Sequence, residues 1–218
     1  MYRYLVFIFA VFLLGTGSTE AYNSSINEPA LPYEIFSIET DIEEQSEYLG
    51  ELKGDPHMYE FTLDEGSTLS LELRQAKDSS IPFNIIVIKE NTDKKGVAEV
   101  GRLKGANLEW KEFSDSVLGI KLNQGEVFEK EIDKGVYRVE VSTPDNFGKY
   151  MLVMGSESSD GGYFRGLASI NRIQNFFEAP FFAIFKSSYV YYPIGIILLS
   201  ILIYFTWRNR HKIKNKNA

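Results

Sequence analysis

The sequence predicts an all-β chain: an antiparallel β-sandwich or jelly roll of about eight strands, followed by an amphipathic helix and one C-terminal transmembrane helix. Three observations predict it. Between residues 35 and 155 apolar side chains recur at every second position, the period of a strand with one buried face. Turn-forming Gly, Asp, Asn and Pro punctuate that pattern about every ten residues, with no helical periodicity between them. Residues 187–207 then run for 21 positions without a charge around a dense aliphatic centre. At about 1.5 Å per residue such a helix is about 30 Å long, the thickness of a bilayer's hydrocarbon core.

Residues 1–21 read as a signal peptide. Arg3 supplies the positive start, residues 5–14 the apolar run, and Thr19-Glu20-Ala21 the small residues of a cleavage site. An uncleaved N-terminal anchor is the competing reading, though the run is short for a span. Residues 22–34 contain Asn, Ser, Pro29 and Pro32 and are expected to be a flexible leader.

The strands follow over residues 35–155. Tyr59, Phe61 and Leu63 alternate with polar residues, and Asp64-Glu65-Gly66 turns the chain into Leu69, Leu71 and Leu73. Residues 83–88 are almost continuously apolar, which predicts a central strand covered on both faces. Residues 97–103 form a weaker strand, and Phe128 and Ile132 alternate with charges. After Asp133-Lys134-Gly135, Tyr137, Val139 and Val141 face one way and Arg138 and Glu140 the other. The spacing Asp133-x-Gly135-x-Tyr137 matches a tyrosine corner, in which the hydroxyl bonds back to upstream backbone; a plain core tyrosine is the alternative. Residues 144–148 turn once more, and Tyr150, Leu152 and Met154 close a hairpin.

Residues 156–162 have the Gly/Ser composition of a linker. In residues 163–186, Leu167, Ile170, Ile173 and Phe177 recur at helical spacing until Pro180 breaks the pattern. This segment is expected to lie in the outer membrane interface, with packing on protein as the alternative. The span 187–207 has Tyr189, Tyr191 and Tyr192 near its start and Tyr204 and Trp207 near its end, as membrane-spanning helices do. Residues 208–218 carry Arg208, Arg210, Lys212, Lys214 and Lys216 and no acid. Positive charge on this side predicts a cytoplasmic C-terminus and an extracytoplasmic sandwich in a cell-envelope protein, with the lipid bilayer as its first partner.

Composition narrows the chemistry. Residues 22–162 contain 28 Asp and Glu against 14 Lys and Arg. So acidic a domain repels nucleic acid. There is no cysteine, which removes disulfides, thiol catalysis and thiolate metal sites and fits a bacterial or archaeal envelope better than a eukaryotic surface. The sequence holds two histidines, His57 and His211. One histidine in the outer domain makes no zinc site, and His57 is expected at a surface or sheet edge. No nucleophile elbow, zinc-protease helix or phosphate loop occurs. No Asp or Glu lies in an apolar run that would raise its pKa. The expectation is therefore a non-enzyme without metal or cofactor. A glycosidase-type carboxylate pair is the least favoured reading. Candidate binding residues are Trp110 and Phe113, placed to stack on a sugar ring or to join the core, and Asp145 and Asn146 in the last turn, whose oxygens suit either calcium or turn bonding.

Two sets of residues carry a resemblance. The run Tyr59-x-Phe61-x-Leu63-x-x-Gly66-x-x-Leu69-x-Leu71-x-Leu73, with Gly135-x-Tyr137-x-Val139-x-Val141 and Gly148-x-Tyr150-x-Leu152-x-Met154, resembles bacterial pre-peptidase C-terminal-type sandwich modules. The phrases Val100-Gly101-Arg102-Leu103, Glu109-Trp110 and the stretch from Val141 to Tyr150 resemble, more strongly, the outer domains of uncharacterised membrane-anchored proteins of uncultured bacteria. The resemblance covers residues 35–155. It implies a non-catalytic sandwich that binds a glycan or a protein partner. A structural or accessory subunit, acting through its membrane-proximal and transmembrane helices, is the other reading. Ligand identity and oligomeric state are not written in the sequence.

Overall fold

A computed structural model describes residues 23–91, 96–158 and 162–214. The expected signal peptide, the middle of the expected linker and the end of the basic tail lie outside them. The described chain folds into two β-sheets packed face to face. Twelve strands build them: β1 (Ser24–Asn27), β2 (Ile35–Ser37), β3 (Ser46–Lys53), β4 (His57–Leu63), β5 (Ser67–Ala76), β6 (Asn84–Glu90), β7 (Val97–Leu103), β8 (Lys111–Asp115), β9 (Ile120–Gln124), β10 (Phe128–Ile132), β11 (Gly135–Ser142) and β12 (Phe147–Met154). One sheet runs β1-β3-β12-β5-β9-β8, with β10 paired to the first half of β5. The other runs β2-β4-β11-β6-β7.

The core between the sheets is the predicted alternation made solid. Leu69, Leu71 and Leu73 of β5 and Tyr150, Leu152 and Met154 of β12 face Tyr59 and Phe61 of β4 and Tyr137, Val139 and Val141 of β11. The Tyr137 hydroxyl donates to the Asp133 carbonyl at 2.7 Å, so the tyrosine corner is present. Each corner bond of this kind fixes the entry into a strand that must keep one side chain in two facing inward.

Several expectations need correction. The sheets are mixed and hold more strands than about eight: β1 pairs with β3, and β2 with β4, in parallel. The chain crosses from one sheet to the other and back between β1 and β3, so both short strands join edges in parallel. Within the leader expected at 22–34, Ser24–Asn27 form β1. Ser24 is buried and accepts from Arg172, while its amide donates to the Ser169 hydroxyl at 3.3 Å. The expected linker begins held as well, since the Ser156 and Glu157 amides both donate to the Glu43 carbonyl. Strand β6 is not covered on both sides: Ile85 and Val87 are buried, whereas Ile86 and Ile88 are half-buried on the outer face.

Helix α1 (Tyr163–Phe176) forms where the stripe predicted it. Its apolar side is not laid on lipid. Ile170 and Ile173 are fully buried with Leu49, Met151 and Val153 on the outer face of the larger sheet. Burial there is available because β3 and β12 carry apolar residues on both faces. The expected interfacial helix 163–186 thus ends at Phe176. Glu178 takes a left-handed conformation at φ 56, Pro180 opens a 3-10 segment (Phe181–Lys186), and helix α2 (Ser188–Lys214) follows. Replacing Ile173 by Ala is expected to lower the stability of the whole domain by about 2–4 kcal/mol, because a large-to-small change at a sealed site leaves a cavity. Urea unfolding of the full chain followed by tryptophan emission checks this; a helix resting on lipid would leave the midpoint unchanged.

Helix α2 contains one stretch, Ser188–Thr206, long and apolar enough to cross a membrane. Past the buried Tyr189, most of its side chains point outward rather than into the sandwich: Leu198 is 60% and Leu202 64% exposed.

Candidate functional site

The segment Asp115–Ile120 joins β8 to β9 and is the point where the sandwich meets α1 and the start of α2. Asp115 organises it locally. Its carboxylate accepts from the Val117 amide at 2.9 Å and the Leu118 amide at 2.8 Å, and its carbonyl accepts from the Gly119 amide at 2.8 Å. This turn leaves three successive carbonyls pointing at the helices, and each finds a donor there. The Ser116 carbonyl accepts from the Ser188 amide at 2.8 Å, that of Val117 from the Ser187 hydroxyl at 2.5 Å, and that of Leu118 from the Gln174 side chain at 2.6 Å. Leu118 itself is sealed among Ile170, Ile173 and Tyr189. Tyr163 stacks on Tyr189 with ring centres 5.6 Å apart and donates its hydroxyl to the Tyr189 carbonyl at 2.8 Å. The first turn of α2 is therefore bonded to the sandwich rather than hung from a free tether.

Three polar features lie elsewhere. The first is a buried chain of rings: the Tyr150 hydroxyl sits 2.8 Å from His57 Nδ1 and 2.8 Å from the Tyr59 hydroxyl. His57, expected at a surface, is only 2% exposed. Burial and then the Lys53 charge pull its pKa down to about 4, so the ring is neutral at physiological pH. Burial also raises the Tyr59 and Tyr150 hydroxyls above the usual tyrosine range. The second is Glu47 on β3, fully buried. Burial raises its pKa to about 7, against the opposing hydrogen bond from Gln45 and the charge of Arg74. No apolar run flags it, because the groups around it, among them Arg74 of β5 and Asp115 of β8, are distant in sequence. Glu47 is near the value a general acid needs. It is nevertheless sealed from any substrate.

The sign of the Glu47 shift is testable. Its folded pKa exceeds the unfolded value of 4.5, so its contribution is fully present below pH 4.5 and lost as pH rises through 7. Glu47→Gln is expected to abolish that loss. The variant should gain on the order of 3 kcal/mol relative to the parent between pH 4 and pH 8, measured by urea unfolding across that range.

The third feature is an acidic pocket of about 340 Å³ at the Ser67 end of β5, lined among others by Glu39, Asp41, Glu43, Asp64 and Glu65. At about 3.3 Å per residue, the ten residues of β5 separate this pocket from the Asp115–Ile120 turn by the length of the sandwich.

The four candidate binding residues do not converge. Trp110 is half-buried against the core beside Gly125. Phe113 is half-buried beneath the Arg74 guanidinium, 4.9 Å from its ring centre. Asp145 and Asn146 serve their own turn: Thr143 donates its hydroxyl to Asp145 at 3.0 Å and its amide to the Asn146 side chain at 3.3 Å. Among the described residues, no group of three or more His, Asp and Glu side chains is placed to hold a metal ion.

No family model matches the chain, and no curated protein matches it. Among solved structures it is similar to the pre-peptidase C-terminal domain of collagenase from Bacillus anthracis, with a TM-score of 0.37 and 13% identity, over 58% of this chain and 98% of that one. It is similar also to the Yersinia pseudotuberculosis-derived mitogen, with a TM-score of 0.35 and 13% identity, over 54% of this chain and 92% of that one. Neither likeness bears on function at these scores.

Proposed function

We propose that the chain is a single-pass cell-envelope protein that holds a non-catalytic β-sandwich at the outer membrane surface and presents its far end to a protein partner. The observation that supports this most is the set of three carbonyls, Ser116 to Leu118, capped by donors from α1 and the start of α2. A domain bonded to its own anchor keeps one end near the bilayer and offers the other. The offered end carries the acidic pocket, and five carboxylates there favour a partner presenting lysines or arginines over a glycan. The non-catalytic reading rests on Glu47: the carboxyl with the raised pKa is fully buried.

Two measurements test the reading. Carbonate extraction of membranes and protease treatment of intact cells should leave α2 in the lipid and digest the sandwich. Release by carbonate, or protection of the sandwich from protease, contradicts the topology. For the partner, full-length chain carrying Glu39→Lys and Glu65→Lys should lose cross-linked captures that the parent retains, with unchanged melting. A capture that survives those changes and disappears when the apolar face of α2 is replaced by polyleucine supports the accessory-subunit reading instead.

A further inference from the structure

The anchor end of the sandwich holds a second pocket, of about 500 Å³, between β9 and the 3-10 segment Phe181–Lys186. Ile120, Phe177, Pro180 and Phe182 give it an apolar lining, and Lys77, Lys121 and Lys186 line it too. Lys77 and Lys121 share the Glu112 carboxylate, at 3.4 and 2.7 Å. Lys186 has no carboxylate within ion-pair distance among the described residues. Beside the pocket, Phe181 and Phe182 are 82% and 72% exposed, and Phe185 is more than half exposed. Exposed phenylalanines of this kind are costly in water and favourable at the boundary between headgroups and acyl chains.

From this geometry, and resting on the membrane-anchored reading above, we infer that the pocket seats one outer-leaflet phospholipid. Lys121 and Lys186 meet its phosphodiester, and Phe177, Pro180 and Phe182 hold the start of its acyl chains. The pocket lies where α2 enters the bilayer, because Ala183 and Lys186 line it and Ser188 begins the helix. Asp78 and Glu178 also line the pocket, Glu178 being held by Lys149 at 2.5 Å. Those carboxylates oppose a free phosphate dianion, so a singly charged phosphodiester with an apolar tail is the better fit.

Native mass spectrometry of the full chain tests this, with the chain released from micelles containing phosphatidylglycerol and diacylglycerol of equal chain length. One phosphatidylglycerol should stay on each chain. The double variant Lys121→Gln, Lys186→Gln should retain about tenfold less, as the loss of two charge-assisted contacts predicts, while Lys104→Gln retains as much as the parent. Both pocket lysines are exposed, so the variant should melt with the parent. Absence of an adduct, an adduct insensitive to the double variant, equal retention of diacylglycerol, or displacement by inorganic phosphate each overturns the inference. Carbonate extraction of the same membranes separates the two levels: a chain that resists extraction but carries no lipid loses only the pocket, whereas a chain that washes off loses the anchor as well.

Discussion

Gly119→Ala is expected to detach helix α2 from the sandwich while leaving the sandwich folded. Gly119 has φ 68, a region that costs a non-glycine residue about 1–2 kcal/mol. Space matters more here. A Cβ at this position would lie 2.7 Å from the Ser187 nitrogen, 2.8 Å from the Ala183 carbonyl oxygen and 2.9 Å from the Lys186 carbonyl carbon. All three are backbone atoms, so no side chain can swing aside. Relief comes by moving the segment that leads into α2, which breaks the bonds from Ser187 and Ser188 to the turn. The expected loss of docking is about 3 kcal/mol or more, the sum of the two effects. Hydrogen exchange of the full chain in nanodiscs should show amides of 163–190 exchanging far faster, while β5, β11 and β12 keep their protection. Uniform loss of protection would mean that the turn serves the sandwich instead.

Gly50→Ala is expected to damage the sandwich itself. Gly50 faces the core from β3, and a Cβ there would stand 2.5 Å from the Tyr150 hydroxyl and 2.8 Å from His57 Nδ1. The tyrosine must shift, and its hydroxyl is the shared partner of His57 and Tyr59. Overpacking costs about 1–3 kcal/mol and each polar group left without a partner in the interior about 1–3 more, so a loss of about 4 kcal/mol is expected. Tyr150→Phe removes the hydroxyl without the crowding and should cost about 2 kcal/mol. The burial of His57 sets an acid limit. The folded pKa of His57, about 4, lies below the unfolded 6.5, so its contribution is present above pH 6.5 and lost as pH falls to 4. Chemical unfolding of the three proteins at pH 7, and of the parent also at pH 4.5, checks both points: Gly50→Ala should be least stable, and the parent should lose the His57 contribution on acidification.

Much of this fold is legible in single residues. Leu69, Leu71 and Leu73, or Tyr137, Val139 and Val141, announce a buried face because a strand's period is two and their neighbours are polar. The corner at Asp133 and Tyr137 is local in sequence and could be read. What could not be read depends on partners distant in the chain. Strand β3 carries Tyr48 and Leu52 on one face and Glu47 and Leu49 on the other, a pattern that makes sense only once α1 covers the second face. Strands β1 and β2 are four and three residues long, too short to show a period. His57 looked like an edge residue because its partner Tyr150 lies 93 positions away. The anchor dock left a fainter trace: Asp115-Ser116-Val117-Leu118-Gly119 has the acid and glycine of a capped turn, but nothing in it names Ser187 as the donor it serves.

The sandwich is fixed to the start of α2, and an electron–electron distance measures that directly. The chain has no cysteine, so spin labels placed by Glu109→Cys and Leu199→Cys report one pair each time. In nanodiscs the docked geometry predicts a single narrow distance distribution, which broadens in the Gly119→Ala background. A broad distribution in the parent chain, as a domain swinging on a free tether gives, would contradict it.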